Sequence, residues 1–117
     1  MSFDVTVQTF GDILVVHMSG ELDHHTAELV RNRVDQELGG RECQHMILNL
    51  SGLTFMDSSG LGVILGRYKR VTQGGGRMAI TNVDPQIRRL FEMAGLLKII
   101  QFYDTEDLAL QAVGGAI

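Results

Sequence analysis

The apolar residues of this chain change their period along its length, and that change constrains the fold more than any other feature. Phe3, Val5 and Val7 alternate with Asp4, Thr6 and Gln8, the period of two of a half-buried strand. Gly11-Asp12 supplies a two-residue hairpin turn. Ile13-Leu14-Val15-Val16 is apolar on both faces and reads as a central strand that pairs with the first, runs to about Ser19 and is broken by Gly20. From about His24 the period becomes helical, with Ala27, Val30, Val34 and Leu38 on one stripe and Gly39-Gly40 closing the element.

The same exchange then repeats. His45 to Leu50 is a strand, followed by a loop that ends at Asp57, an N-cap for a helix with Leu61, Ile64, Leu65, Tyr68 and Val71 at intervals of three and four. That helix ends before Gly74-Gly75-Gly76. Met78-Ala79-Ile80 is a short strand, and Asp84-Pro85 opens a helix whose buried stripe is Ile87, Leu90, Phe91 and Ala94, with Gly95 ending it. Ile99 to Tyr103 is a last strand, and Asp104-Thr105 with Glu106 and Asp107 opens a terminal helix. Strands alternating with helices imply a largely parallel sheet with right-handed crossovers. The expected fold is therefore α/β: a mixed, mostly parallel sheet of four to five strands with an N-terminal antiparallel hairpin, packed with about four helices. No linker divides it, so residues 1–117 are expected to be one domain.

Composition narrows the function. With 44% hydrophobic and 21% charged residues the chain resembles an ordinary globular protein. Its apolar runs are too short for a membrane span, and no signal peptide opens it, so a cytoplasmic location is expected. The single cysteine, Cys43, excludes an intrachain disulfide and a Cys-based zinc cluster. A formal net charge of −4 argues against general nucleic-acid binding. Arg67, Lys69, Arg70 and Arg88-Arg89 read as solvated helix faces.

In open α/β sheets, working groups gather where strands end and helices begin. Two such loops stand out: Gly20-Glu21-Leu22-Asp23-His24-His25-Thr26, and Ser51 to Gly60, which ends Asp57-Ser58-Ser59-Gly60. If the strands are parallel neighbours, Asp23 and Ser58 share one end of the molecule. Ser58 then sits at the first helical position, where free N–H groups and the helix dipole favour a phosphate. On spacing alone, helix capping is the favoured reading of Asp57, Ser58 and Ser59. Ser59, Gly62 and Gly66 leave one stripe of the helix nearly smooth at about 1 kcal/mol per glycine; either an internal neighbour or a partner protein packs there. His24-His25 lacks metal-ligand spacing, and no Gly-x-Ser-x-Gly elbow surrounds Ser58, which leaves no catalytic residues and no cofactor to assign. A hydrolase pairing Ser58 with His24 or His25, and a nucleotide-binding module built on the nearby glycines, remain as rivals.

Three stretches carry a resemblance: Ser19 to Ala27, Leu53 to Lys69 around Asp57-Ser58-Ser59-Gly60, and Arg89 to Leu96. Together they resemble the bacterial anti-sigma factor antagonists, the STAS domain family, and its sporulation type in particular. That resemblance implies a non-enzymatic partner switch, expected to be a monomer when free. The unphosphorylated protein would bind an anti-sigma factor with serine kinase activity and so release the sigma factor. The kinase would phosphorylate Ser58, and a metal-dependent phosphatase of the PP2C type would reverse this. The partner-binding surface implied comprises Asp23, His24, Asp57, Ser58, Ser59, Gly60 and Gly62. A STAS regulator of a stress sigma pathway is the related alternative.

Overall fold

Strict alternation in the strands sends successive side chains to opposite faces of a sheet, and here both faces are covered by apolar partners. The computed structural model describes residues 3–40 and 43–114. Five strands, β1 (Asp4–Phe10), β2 (Ile13–Leu22), β3 (His45–Met56), β4 (Met78–Thr81) and β5 (Gln101–Tyr103), lie side by side in sequence order. β1 is antiparallel to β2, with Phe10 opposite Ile13 across the hairpin, and every later pairing is parallel. The helices are α1 (His24–Gly40), α2 (Ser58–Gln73), α3 (Pro85–Met93) and α4 (Glu106–Gly114), with one 3-10 turn at Leu96–Lys98.

Because each parallel strand is added on the same side of the last, right-handed crossovers must lay α1, α2 and α3 on one face. The core agrees. Leu14, Val16, Met46, Leu48 and Ile80 pack with Val30, Val34, Ile64, Val71, Ile87 and Phe91 from those helices. The alternate residues Ile13, Val15, Ile47 and Ala79 pack instead against Ala109 and Val113 of α4. The same odd-numbered face carries a polar patch at its carboxyl end, where Glu106 Oε1 stands 2.8 Å from His17 Nε2 and accepts from Asn49 Nδ2 at 3.0 Å.

Two strands outrun the sequence expectation. Gly20 does not break β2: it adopts φ +99° within the strand, and the pairing with β3 shifts register around it. Two such shifts, one on each side of Ser19-Gly20 and each with an extra residue in β3, let the ladder continue to Leu22 opposite Met56. Correspondingly, β3 extends through the segment read as a loop, Ser51 to Met56, because it can pair with that extended β2. A third difference concerns Ala94, which is exposed at the C-cap of α3, while Ile87 and Phe91 hold that helix to the core.

Candidate functional site

The paired ends of β2 and β3 place two helix starts side by side. Leu22 and Met56 are opposite one another in the ladder, so the next residues, Asp23 and Asp57, leave the sheet together. Each is an N-cap. Asp57 Oδ1 accepts from the backbone N–H of Ser59 at 2.9 Å and of Gly60 at 3.3 Å. Asp23 Oδ1 accepts from the N–H of His25 at 2.9 Å and of Thr26 at 3.0 Å, while the Thr26 hydroxyl accepts from the Asp23 N–H at 2.9 Å. This reciprocal pair works as a capping box does, with Thr in the place of Glu or Gln. A backbone bond from Asp57 N–H to Leu22 O at 3.3 Å joins the two caps. The Asp23 carboxyl is held below its ordinary pKa, first by the Thr26 N–H, against the opposing effect of burial, and then by the His25 N–H, the Thr26 hydroxyl and the charge of His25.

Ser58 and His24 therefore occupy equivalent positions, the first residue of each helix, and both are exposed. Among the described residues the Ser58 hydroxyl has no hydrogen-bond partner. Two adjacent helix N-termini point the positive ends of their dipoles at the same surface, which suits a phosphate on that oxygen. Ser59 is half-buried and turns into the cleft between the helices. Neither His24 nor His25 hydrogen-bonds to Ser58; the two rings stack edge to face on each other, centroids 5.7 Å apart. The geometry thus assembles no Ser-His pair. Gly60 and Gly62, the glycines beside the start of α2 that motivate the nucleotide-binding rival, lie within the helix itself. They cannot form one phosphate loop.

The glycines of α2 divide into two kinds. Gly60 is buried: a Cβ there would lie 2.6 Å from Met56 Cγ, 2.9 Å from Leu22 Cγ and 3.0 Å from the Leu22 carbonyl oxygen. The sequence placed it among the docking residues, but the close approach of the helix start to β2 turns it inward. Gly62 and Gly66 are the opposite case, since a Cβ on either would meet nothing within 4 Å. Close internal packing does not explain them. With Ser59, Val63 and Arg67 of α2, and His24, Ala27, Glu28 and Arg31 of α1, they line an open groove of about 420 Å³.

The groove is floored by charge that sequence reading missed. Arg67 and Arg70, read as solvated, both reach Asp35 of α1: Arg67 Nε and Arg70 Nη1 each stand 3.1 Å from its Oδ1. Arg67 is the more buried, with 12% of its side chain exposed. Its Nε lies off the hydrogen-bonding angle to Asp35, and its buried Nη1 has no hydrogen-bond partner. Burial lowers its pKa most, Asp35 opposes this, and Arg70 and Arg31 lower it further. The signal available in the sequence was the spacing of Arg67 and Arg70, which shares one helix face, but their partner Asp35 lies on another element.

The STAS domain model matches residues 4–109, and the chain belongs to the STAS domain family. Several of its relatives there are named anti-sigma factor antagonists. The chain is 49% identical over 110 residues to the anti-sigma F factor antagonist of Paenibacillus polymyxa, covering 94% of each chain. It superimposes on the structure of the anti-sigma factor antagonist SpoIIAA in its unphosphorylated form with TM-score 0.85 and 30% identity, over 97% of this chain and 99% of that one. It also matches the phosphorylated form of the Bacillus cell fate determinant SpoIIAA, with TM-score 0.74 and 31% identity, over 96% and 99%. Among the described residues no helix is long and apolar enough to cross a membrane.

Proposed function

We propose that this chain is an anti-sigma factor antagonist of the sporulation type, acting by binding rather than catalysis. Its unphosphorylated form docks an anti-sigma factor that is also a serine kinase, and the sigma factor is released. Asp23, His24, Ser58, Ser59 and Gly62 form the docking surface, with Asp57 and Gly60 holding the start of α2 in place from beneath. Phosphorylation of Ser58 by the bound kinase ends the interaction, and a PP2C-type phosphatase restores it. One observation carries this reading: an exposed serine hydroxyl, without a partner of its own, at the first position of a helix beside a second helix start. A phosphate there adds about −1.5 to −2 charges to the centre of the surface without opposing the helix dipole, so it alters docking and leaves the fold intact. That a relative of this fold has been described in both unphosphorylated and phosphorylated forms supports the same reading.

The test is direct. Incubation with the anti-sigma kinase of the same cell and ATP adds one phosphate to the wild-type chain, peptide mapping finds it on Ser58, and Ser58→Ala takes up none. Phosphate on Ser59 or elsewhere overturns the assignment.

A further inference from the structure

The groove between α1 and α2 is basic in a chain whose formal net charge is −4. Three guanidinium groups, those of Arg31, Arg67 and Arg70, share two carboxylates, those of Glu28 and Asp35. Arg31 pairs with Glu28 on the exposed rim, while Arg67 and Arg70 divide a single Asp35 oxygen. One positive charge is left over. Arg67, one of the two that share Asp35, has a side chain only 12% exposed, and its buried Nη1 donates to nothing. His24 also lines the groove. The lowered proton affinity of Arg67 has the same origin, burial and two neighbouring cations that Asp35 does not fully offset. Above this floor α2 carries no side chain at Gly62 and Gly66, and the space beside them is open.

We propose that this groove receives an acidic side chain of the anti-sigma factor, an Asp or Glu carboxylate that completes the charge balance of Arg31 and Arg67. The inference rests on the function proposed above and specifies the partner chemistry at one end of the same surface. A carboxylate entering a groove of this kind gains more than one at an open surface, because the site is partly desolvated and the cations are already positioned. The glycines make the approach possible, and the arginines make it selective for acid.

Binding of the wild-type chain to the purified anti-sigma factor is measured by calorimetry beside Arg31→Glu, Arg67→Gln and the control Lys98→Glu, which reverses a charge that does not line the groove. Arg31 is half-exposed, so its variant folds even if Arg67→Gln does not, and thermal melts verify both. The expected result is a loss of about tenfold or more for Arg31→Glu, little change for Lys98→Glu, and recovery when one partner Asp or Glu is replaced by Lys. Binding of Arg31→Glu and Arg67→Gln within about twofold of wild type overturns the inference but not the proposed function, provided that phosphorylated Ser58 still abolishes binding. Absence of binding by the wild-type chain overturns both. Self-association of the chain that Arg31→Glu abolishes would show a second copy as the occupant and would also overturn it.

Discussion

Replacing the three glycines of α2 singly by alanine separates packing from docking, because the same substitution has opposite consequences within two turns of one helix. At Gly62 and Gly66 the new methyl group meets open space. Alanine then contributes its helix advantage, about 0.5–1 kcal/mol per site, or about 1–2 kcal/mol for the double variant. Unfolding entropy of about 2.1 cal/mol/K per residue over 117 residues makes each kcal/mol worth about 4 °C, so the double variant should melt about 4–8 °C above wild type. At Gly60 the new Cβ lies 2.6 Å from Met56 Cγ and 3.0 Å from the Leu22 carbonyl oxygen. The methionine can move; the carbonyl cannot, because it accepts the bond that joins the two caps. Overpacking of this kind costs about 1–3 kcal/mol, which the first-turn helix gain offsets only in part, so Gly60→Ala should be destabilised by about 1–2 kcal/mol. Urea denaturation with a common m-value reads all three. A Gly62→Ala chain less stable than wild type would refute the open-groove reasoning, and a Gly60→Ala chain of wild-type stability would refute the close approach. The more stable Gly62→Ala/Gly66→Ala chain should nevertheless bind the anti-sigma factor more weakly, the usual sign that stability was forgone at a functional surface.

Further expectations follow from the same geometry. Phosphorylation of Ser58 should leave the melting temperature equal to or slightly above that of the unmodified chain, since the charge sits at a favourable helix end; a fall of several degrees in differential scanning calorimetry would mean that the switch works by unfolding. Asp35→Ala should cost about 1–3 kcal/mol in urea denaturation, because it strands the largely buried Arg67 without a counter-ion, and Asp35→Ala/Arg67→Met should recover part of that loss. Asp57→Ala should cost about 1 kcal/mol as a lost N-cap. The Asp23 carboxyl, whose folded pKa lies below the unfolded value near 3.8, contributes stability that is present above that value and is lost as pH falls through the folded pKa; Asp23→Asn should therefore flatten the acid limb of the stability profile below about pH 4, as followed by circular dichroism.

The strand and helix order was readable because each element carries its own period and its own cap. Asp57 and Asp84 cap α2 and α3 as their sequence context implies, and Gly95 takes the left-handed conformation that ends α3. The errors arose where an element is held by its neighbour rather than by its own residues. Gly20 stands in a short stretch that lacks clear alternation, and only the ladder to β3 keeps it extended through a bulge. Ser51 to Met56 is likewise a strand because β2 continues beside it. Locally, both stretches look like loops, and the pairing that makes them strands spans more than 30 residues of chain.

Register is what converts two separate loops into one site. Topology alone placed Asp23 and Ser58 at the same end of the sheet, but the pairing of Leu22 with Met56 makes the two caps direct neighbours, and that depends on the two register shifts on either side of Ser19-Gly20. The orientation of the glycines, by contrast, could have been worked out from spacing. Residues two apart on a helix lie about 200° apart around its axis, so Gly60 and Gly62 cannot both face a partner. Gly60 is four residues before Ile64 and eleven before Val71, which puts it on the buried stripe; Gly62 is three after Ser59 and four before Gly66, which puts it on the other. The assignment of Gly60 to the docking surface followed the motif Asp57-Ser58-Ser59-Gly60 as a unit, whereas the helix treats its members separately. A serine at the first position is presented outward, and the glycine two residues later lets the helix start lie close enough to β2 to hold that serine in place.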